Sequence, residues 1–238
     1  MMIYINDFII AALSNDDIEQ VVNELRQYYD LKDLGEPKQY LNCALDRDYA
    51  NGTITMSQKA YVQKVLHDDA FDQYQSIVGM LNWLAVKTRL DIRFAVTRLQ
   101  YRLANPTLSD YKAMQYVVKY LRRRPDIGII LGRTGELRFY AHTDASYTDW
   151  EDSKSTEGNV WYLTGSPVMW STKKQTITAN STIVAEWCAL DQPSRDAIWL
   201  NKIARSFILP EQRPTEIYTD NINSQLLLSK KGGKSANR

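Results

Sequence analysis

The chain has 238 residues, 44% hydrophobic and 24% charged, an ordinary globular composition with enough apolar residues for one large core or two modest ones. Its 29 basic and 28 acidic residues leave a net charge of +1, so no global field favours a polyanion, and any nucleic-acid contact must come from a local patch. Two cysteines, Cys43 and Cys188, exclude a disulfide framework or a four-cysteine zinc site, and two histidines, His67 and His142, leave little for a histidine-based centre, so a metal would need carboxylates, which suit magnesium or manganese.

The opening run MMIYINDFIIAAL is apolar but interrupted by Asn6 and Asp7, with no basic segment before it. It reads as a strand over about Met2 to Leu13, not as a signal peptide. No run approaches the roughly 18 apolar residues of a membrane span. The expectation is therefore a soluble intracellular protein with no membrane partner.

SNDD supplies capping residues for a helix from about Asp16 to Tyr29, with Ile18, Val21, Val22 and Leu25 at helical spacing. A hairpin follows, with Tyr40 to Leu45 as one arm, Asn51-Gly52 as the turn and Thr53 to Met56 as the return. Ser57 is placed to cap a short helix ending near His67. Three amphipathic helical segments then run from Gln73 to Arg124, broken at Asn105-Pro106 and ended by Pro125.

The pattern changes at about Asp126. IGIILG, LRFYAHTDA, GNVWYLTG and PVMWSTK read as four consecutive strands of an antiparallel meander. A long helix is expected from Ser181 to about Ile208, then a strand from Glu216 to Thr219 and a final helix from about Asn221. A meander followed by helix, strand and helix is a mixed-sheet α/β layout. The tail KKGGKSANR is polar and basic.

Three acids stand at element ends. Asp144 closes the apolar run LRFYAHTDA, where an Asp also serves as a turn-former. Glu186 lies on the same side of its helix as Ile183 and Leu190, a costly place for a carboxylate unless it is paired or snorkels. Asp220 ends the strand EIYT, where an Asp also serves as an N-cap. In an open α/β sheet such ends gather on one edge. Three carboxylates gathered there repel unless cations sit between them, and two hard divalent ions about 4 Å apart are the usual arrangement for phosphodiester cleavage.

With these residues in view, the chain resembles the C-terminal part of the Pol polyprotein of copia-type LTR retrotransposons, from the end of reverse transcriptase into ribonuclease H. YIND (Tyr4 to Asp7) resembles the polymerase YxDD box. LKDLGEPKQYL and NGTITMSQKAYVQKVL resemble the segments after it, and YQSIVGMLNWLAVKTRLDIRFAV and YLRRRPDIGIIL resemble the connecting region. TDASYTDWEDSKSTEGNVWYL, WSTKKQTITANSTIVAEWCAL, AIWL and IYTDN resemble the ribonuclease H core. The resemblance implies three parts: residues 1–70 a remnant of the reverse-transcriptase palm, 71–126 a helical thumb or connection region, and 127–238 a C-terminally truncated ribonuclease H-like domain with a mixed five-stranded sheet and flanking helices. It implies hydrolysis of the RNA strand of RNA/DNA hybrids by a two-metal mechanism, with Asp144, Glu186 and Asp220 as catalytic Mg²⁺ ligands and Mn²⁺ as an alternative ion. Implied partners are an RNA/DNA hybrid or other nucleic acid and the rest of a Pol polyprotein. The implied location is the cytoplasm, within a virus-like particle for an active element, or the nucleus.

The chain also departs from the family. Asn6 replaces the first aspartate of the polymerase box, leaving Tyr4 and Asp7 in a degenerate motif, and no reverse-transcriptase activity is expected. LHDDA passes directly to FDQYQSIVG where the family has a longer linker, and Leu90 stands in TRLDI where the family has proline. The family's fourth acid lies beyond the equivalent of KSANR, so weakened activity is expected. The competing expectation is a non-catalytic, degenerate or domesticated nucleic-acid-binding fragment. Candidate phosphate contacts are Arg122, Arg123 and Arg124, beside Lys119, and Lys173 with Lys174, with Lys230, Lys231, Lys234 and Arg238 in the tail; the alternative for each cluster is a solvated surface. Trp150, Trp161 and Trp170 read as core or sheet-face residues rather than base platforms.

Overall fold

A computed structural model describes residues 2–4, 7–12, 14–67, 74–132, 138–207 and 215–221. The fold is mixed α/β, with two four-stranded sheets among these residues.

The N-terminal apolar run is not one strand. Met2–Tyr4 (β1) and Asp7–Ile9 (β2) pair antiparallel, Met2 opposite Ile9 and Tyr4 opposite Asp7. Helix α1, Asn15–Arg26, is capped by the Ser14 hydroxyl, which accepts from the Asp17 amide.

The first four-stranded sheet is antiparallel: Gln39–Tyr40 (β3), Cys43–Asp48 (β4), Thr53–Ser57 (β5) and Ile129–Gly132 (β6), in that order. Leu41 and Asn42, both at positive φ, turn the chain between β3 and β4. The expected arm Tyr40 to Leu45 is therefore two strands. The Asn51-Gly52 turn forms as expected: Gly52 takes φ +64°, and the Asp48 carboxylate accepts from the Ala50 and Asn51 amides.

Between β5 and β6 lies a helical bundle of α2 (Lys59–His67), α3 (Tyr74–Lys87), a 3-10 turn (Leu90–Ile92), α4 (Arg93–Gln100) and α5 (Leu108–Arg123). Its core joins Val62, Val78, Leu81, Leu84, Val96, Met114 and Leu121, all at most 1% exposed. Each such aliphatic side chain contributes about 1.5–3 kcal/mol by burial. Thr107 and Asp110 form a reciprocal capping box at the start of α5. The junction after LHDDA falls at residues 68–73, outside the described residues.

The second sheet holds Phe139–Ser146 (β7), Thr156–Leu163 (β8), Ser166–Lys174 (β9) and Glu216–Tyr218 (β10), in the order β10-β7-β8-β9. β7, β8 and β9 form an antiparallel meander, and β10 joins parallel to β7. The expected four-strand meander thus loses its first member, because β6 pairs with β5 of the other sheet, Met56 opposite Ile129. The two sheets still touch: Gly132 N–H donates to the Ser166 hydroxyl, which in turn donates to the Gly132 carbonyl. With β6 in the other sheet, this sheet holds four of the five strands expected.

Over its inner face pack α6 (Thr182–Ala189) and α7 (Asp191–Phe207). These replace the single long helix expected from Ser181. Pro193 has no amide hydrogen and restricts the residue before it, so one helix ends at Leu190 and another starts with Pro193 in its first turn. Trp161, fully buried, meets Ala141 and Leu200 in the small core between sheet and helices. The helix expected after Asn221 lies outside the described residues.

Candidate functional site

Asp144 is the sixth residue of β7, opposite Gly158 of β8, with its carboxylate exposed. Strand alternation buries Ala141 and Thr143 against the helices and turns His142 and Asp144 outward. The Thr143 hydroxyl donates to the Ala189 carbonyl and fixes α6 against the strand. Asp220 arrives by register. β10 runs parallel to β7 with Tyr218 opposite His142, so two residues further along Asp220 comes alongside Asp144.

Glu186 comes from α6, whose N-terminus is capped by the Ser181 hydroxyl accepting from the Val184 amide. It is buried, 8% exposed, on the helix face that carries Ala185 and Ala189. One carboxylate oxygen from each of Asp144, Glu186 and Asp220 lies within 4.8 Å of the others. Burial, followed by the charges of Asp144 and Asp220, pushes the Glu186 carboxyl up to about 7 from its ordinary 4.5. Its Oε2 is buried without a hydrogen-bond partner, and no lysine or arginine pairs with the triad among the described residues. An orphaned oxygen in an all-carboxylate cluster with no counter-cation fits a hard divalent ion such as Mg²⁺ or Mn²⁺.

The other sequence candidates fall elsewhere. Tyr4 and Asp7 face each other across the β1–β2 hairpin, and Asn6 lies outside the described residues. Arg122, Arg123 and Arg124 are exposed at the end of α5, without an ion pair among the described residues. Lys173 and Lys174 are not free cations. Lys173 pairs with the buried Glu157 at 3.0 Å, and Lys174 pairs with Asp152 at 2.8 Å. Lys230, Lys231, Lys234 and Arg238 lie outside the described residues. Of the three tryptophans read as core or sheet-face residues, Trp161 is fully buried, and the indole N–H groups of Trp150 and Trp170 donate to Thr156 and to the Ala85 carbonyl.

Sequence reasoning missed one neighbour of the triad. The 3-10 turn and α4 approach the outward face of β7–β9 and enclose a cleft of about 370 Å³, lined by Arg93 and Phe94 on one side and by Asp144, Ser146 and Asn159 on the other. The isolated Arg93 in DIRFAV looked like one charge on an amphipathic helix. Only tertiary packing brings it into the lining of a cleft that Asp144 also lines.

No family model matches the chain. Over 255 residues it is 27% identical to the retrovirus-related Pol polyprotein from transposon RE1 of Arabidopsis thaliana, covering 95% of this chain and 17% of that protein. The RE2 polyprotein of the same plant is 34% identical over 156 residues, 65% of this chain and 11% of the relative. The polyprotein from transposon TNT 1-94 of Nicotiana tabacum is 25% identical over 264 residues, 97% of this chain and 20% of the relative. The chain is therefore a homologue of retrotransposon Pol polyproteins, and it spans between 11% and 20% of the length of these three relatives.

Proposed function

We propose that this chain is a ribonuclease H-type endonuclease fragment of retrotransposon origin, which hydrolyses the RNA strand of RNA/DNA hybrids. The observation that carries the reading is the convergence of Asp144, Glu186 and Asp220, distant in sequence, to within 4.8 Å. The sheet order β10-β7-β8-β9, with one parallel strand beside a meander, supports a ribonuclease H-like arrangement.

In this reading the three carboxylates hold Mg²⁺, or Mn²⁺ in its place. A divalent ion bound there supplies positive charge for the attacked phosphodiester and lowers the pKa of water. The chain's own part is positional. β7 and β10 present Asp144 and Asp220 from one sheet edge. Glu186 is carried on the rigid α6, and the Ala145 amide donates to its carboxylate. Hybrid recognition rests on duplex shape, phosphates and 2′-hydroxyls, with Arg122, Arg123 and Arg124 as phosphate contacts. The remainder of a Pol polyprotein is the proposed covalent partner. For the hairpin that carries Tyr4 and Asp7 we propose no chemistry.

The test is incubation with a strand-labelled RNA/DNA hybrid in Mg²⁺ and then Mn²⁺, beside the Asp144→Asn chain. RNA-strand cleavage that the substitution abolishes is the expected result. Binding without cleavage in either ion would overturn the nuclease reading in favour of a non-catalytic nucleic-acid-binding fragment.

A further inference from the structure

The cleft between α4 and the outward sheet face opens onto the acid cluster, since Asp144 is one of its lining residues. At about 370 Å³ it is of a size that takes small ligands. Its lining is mostly apolar, with Leu90, Phe94, Val160 and Trp170, and carries a few polar groups. Arg93 supplies a cation that is half-buried, and the described residues offer it no carboxylate within ion-pairing distance. Its Nη1 donates to the neutral Asn82 amide at 2.8 Å, and its Nε has no acceptor. A guanidinium placed out of bulk water without a counter-charge is costly unless an anion joins it.

Across from α4, the outward face of β7 carries Asp144 and His142, both in the lining of the cleft. Ser146, also in the lining, adds a hydroxyl. Beside Arg93, Phe94 is 50% exposed although it sits at the mouth of a cleft rather than on an open helix face. An arginine without a counter-charge, a serine hydroxyl and an open aromatic ring match the three parts of one nucleotide: phosphate, sugar and base.

We propose that this cleft is a nucleotide subsite, which holds one nucleotide of the bound strand beside the acid cluster, with Arg93 on its phosphate and Phe94 against its base. The helical bundle thereby contributes directly to substrate binding and does more than connect two sheets. The inference rests on the nuclease reading for the identity of the strand, and on the lining of the cleft for everything else.

The test uses the whole chain and measures hybrid binding by fluorescence anisotropy in Ca²⁺ over a series of salt concentrations. Phe94→Ala is expected to weaken binding about tenfold with an unchanged salt slope, as loss of one base–aromatic stack does. Arg93→Gln is expected to weaken binding and to reduce the slope of log K against log salt by about one, the share of a single phosphate contact, whereas Arg93→Lys keeps the slope. Affinities and slopes of both Phe94→Ala and Arg93→Gln equal to the parent chain overturn the proposal. If Arg93→Gln does not fold, Phe94→Ala decides alone, because its ring is half-exposed. Adenosine monophosphate that fills the cleft more tightly than hybrid would make it a free-nucleotide site, and overturns the strand assignment. Cleavage in Mg²⁺ separates this from the main reading: unaffected binding in the cleft variants with Asp144-dependent cleavage sinks only the subsite, and the expected binding losses with no cleavage sink only the nuclease.

Discussion

The guanidinium of Arg98 on α4 lies 4.0 Å from the centroid of the Trp150 ring and pairs with the Asp149 carboxylate at 3.1 Å. Lys174 Nζ lies 4.6 Å from the same ring, and Tyr101 meets it edge-on at 4.8 Å. Trp150 belongs to the turn that follows β7, so this cluster ties the helical bundle to the strand that carries Asp144. A half-buried tryptophan with two cations against it stabilises by packing and by cation–π attraction. Trp150→Ala should cost about 2 kcal/mol, below the ~3–5 kcal/mol of a fully buried tryptophan. Urea unfolding measures it, and a loss under about 0.5 kcal/mol, the range of ordinary surface changes, would mean that the cluster does not hold the bundle to the sheet.

Glu186 makes stability depend on pH in a defined window. Its carboxyl is raised from 4.5 to about 7, so the folded state holds a proton that the unfolded chain has already released. Below about pH 4.5 both states are protonated and the full stability is present; it is lost as pH rises through about 7, by a few kcal/mol at most. Without divalent ions the melting temperature should fall over that window. Saturating Mg²⁺ should cancel the fall by favouring the charged carboxylate, and Glu186→Gln should flatten the profile in the absence of metal. A metal-free profile that stays flat in the parent chain would contradict the burial of this acid beside Asp144 and Asp220.

Sequence patterning reaches these elements unevenly. The Asn51-Gly52 turn and the cap before α1 were legible because each depends on residues within a few positions of one another. Pairing of β6 with β5 was not, since Met56 and Ile129 are brought together only after the whole bundle folds. The break at Pro193 was in plain view, but the apolar spacing on both sides of it favoured one helix. The three acids could be selected as element ends; their meeting depends on the parallel register of β10 against β7, which no local pattern encodes. The pairing of Lys173 with Glu157 was not legible because Glu157, just before the run GNVWYLTG, meets it only across the β8–β9 ladder.

The β5–β6 pairing can be broken by a single methyl group. A Cβ on Gly128 would stand 2.4 Å from the Met56 carbonyl oxygen and 3.0 Å from the Ser57 Cβ, and the nearer contact is backbone that cannot swing aside. Gly128→Ala should therefore cost about 1–3 kcal/mol, as overpacking does. Gly79, within α3, has nothing within 4 Å of its added Cβ. Gly79→Ala should instead stabilise by about 0.5–1 kcal/mol through helix propensity. Thermal or urea melts of the two variants should move in opposite directions. Matching shifts would mean that β6 does not sit against Met56 as described.

The basic residues divide into two classes with different readouts. Arg122, Arg123 and Arg124 are exposed and without an ion pair among the described residues, so their charge is available to phosphates. Lys173 and Lys174 are already committed to Glu157 and Asp152. Replacing all three arginines by glutamine should leave the melting temperature unchanged. It should also reduce the salt slope of hybrid binding by as much as about 2.7, at roughly 0.9 per phosphate contact. Lys173→Gln should do the reverse. It leaves the Glu157 carboxylate buried without its cation, which lowers stability, while the salt slope stays as it was. A slope that responds to Lys173 and ignores the three arginines would move the duplex away from the end of α5 and toward the rim of β9.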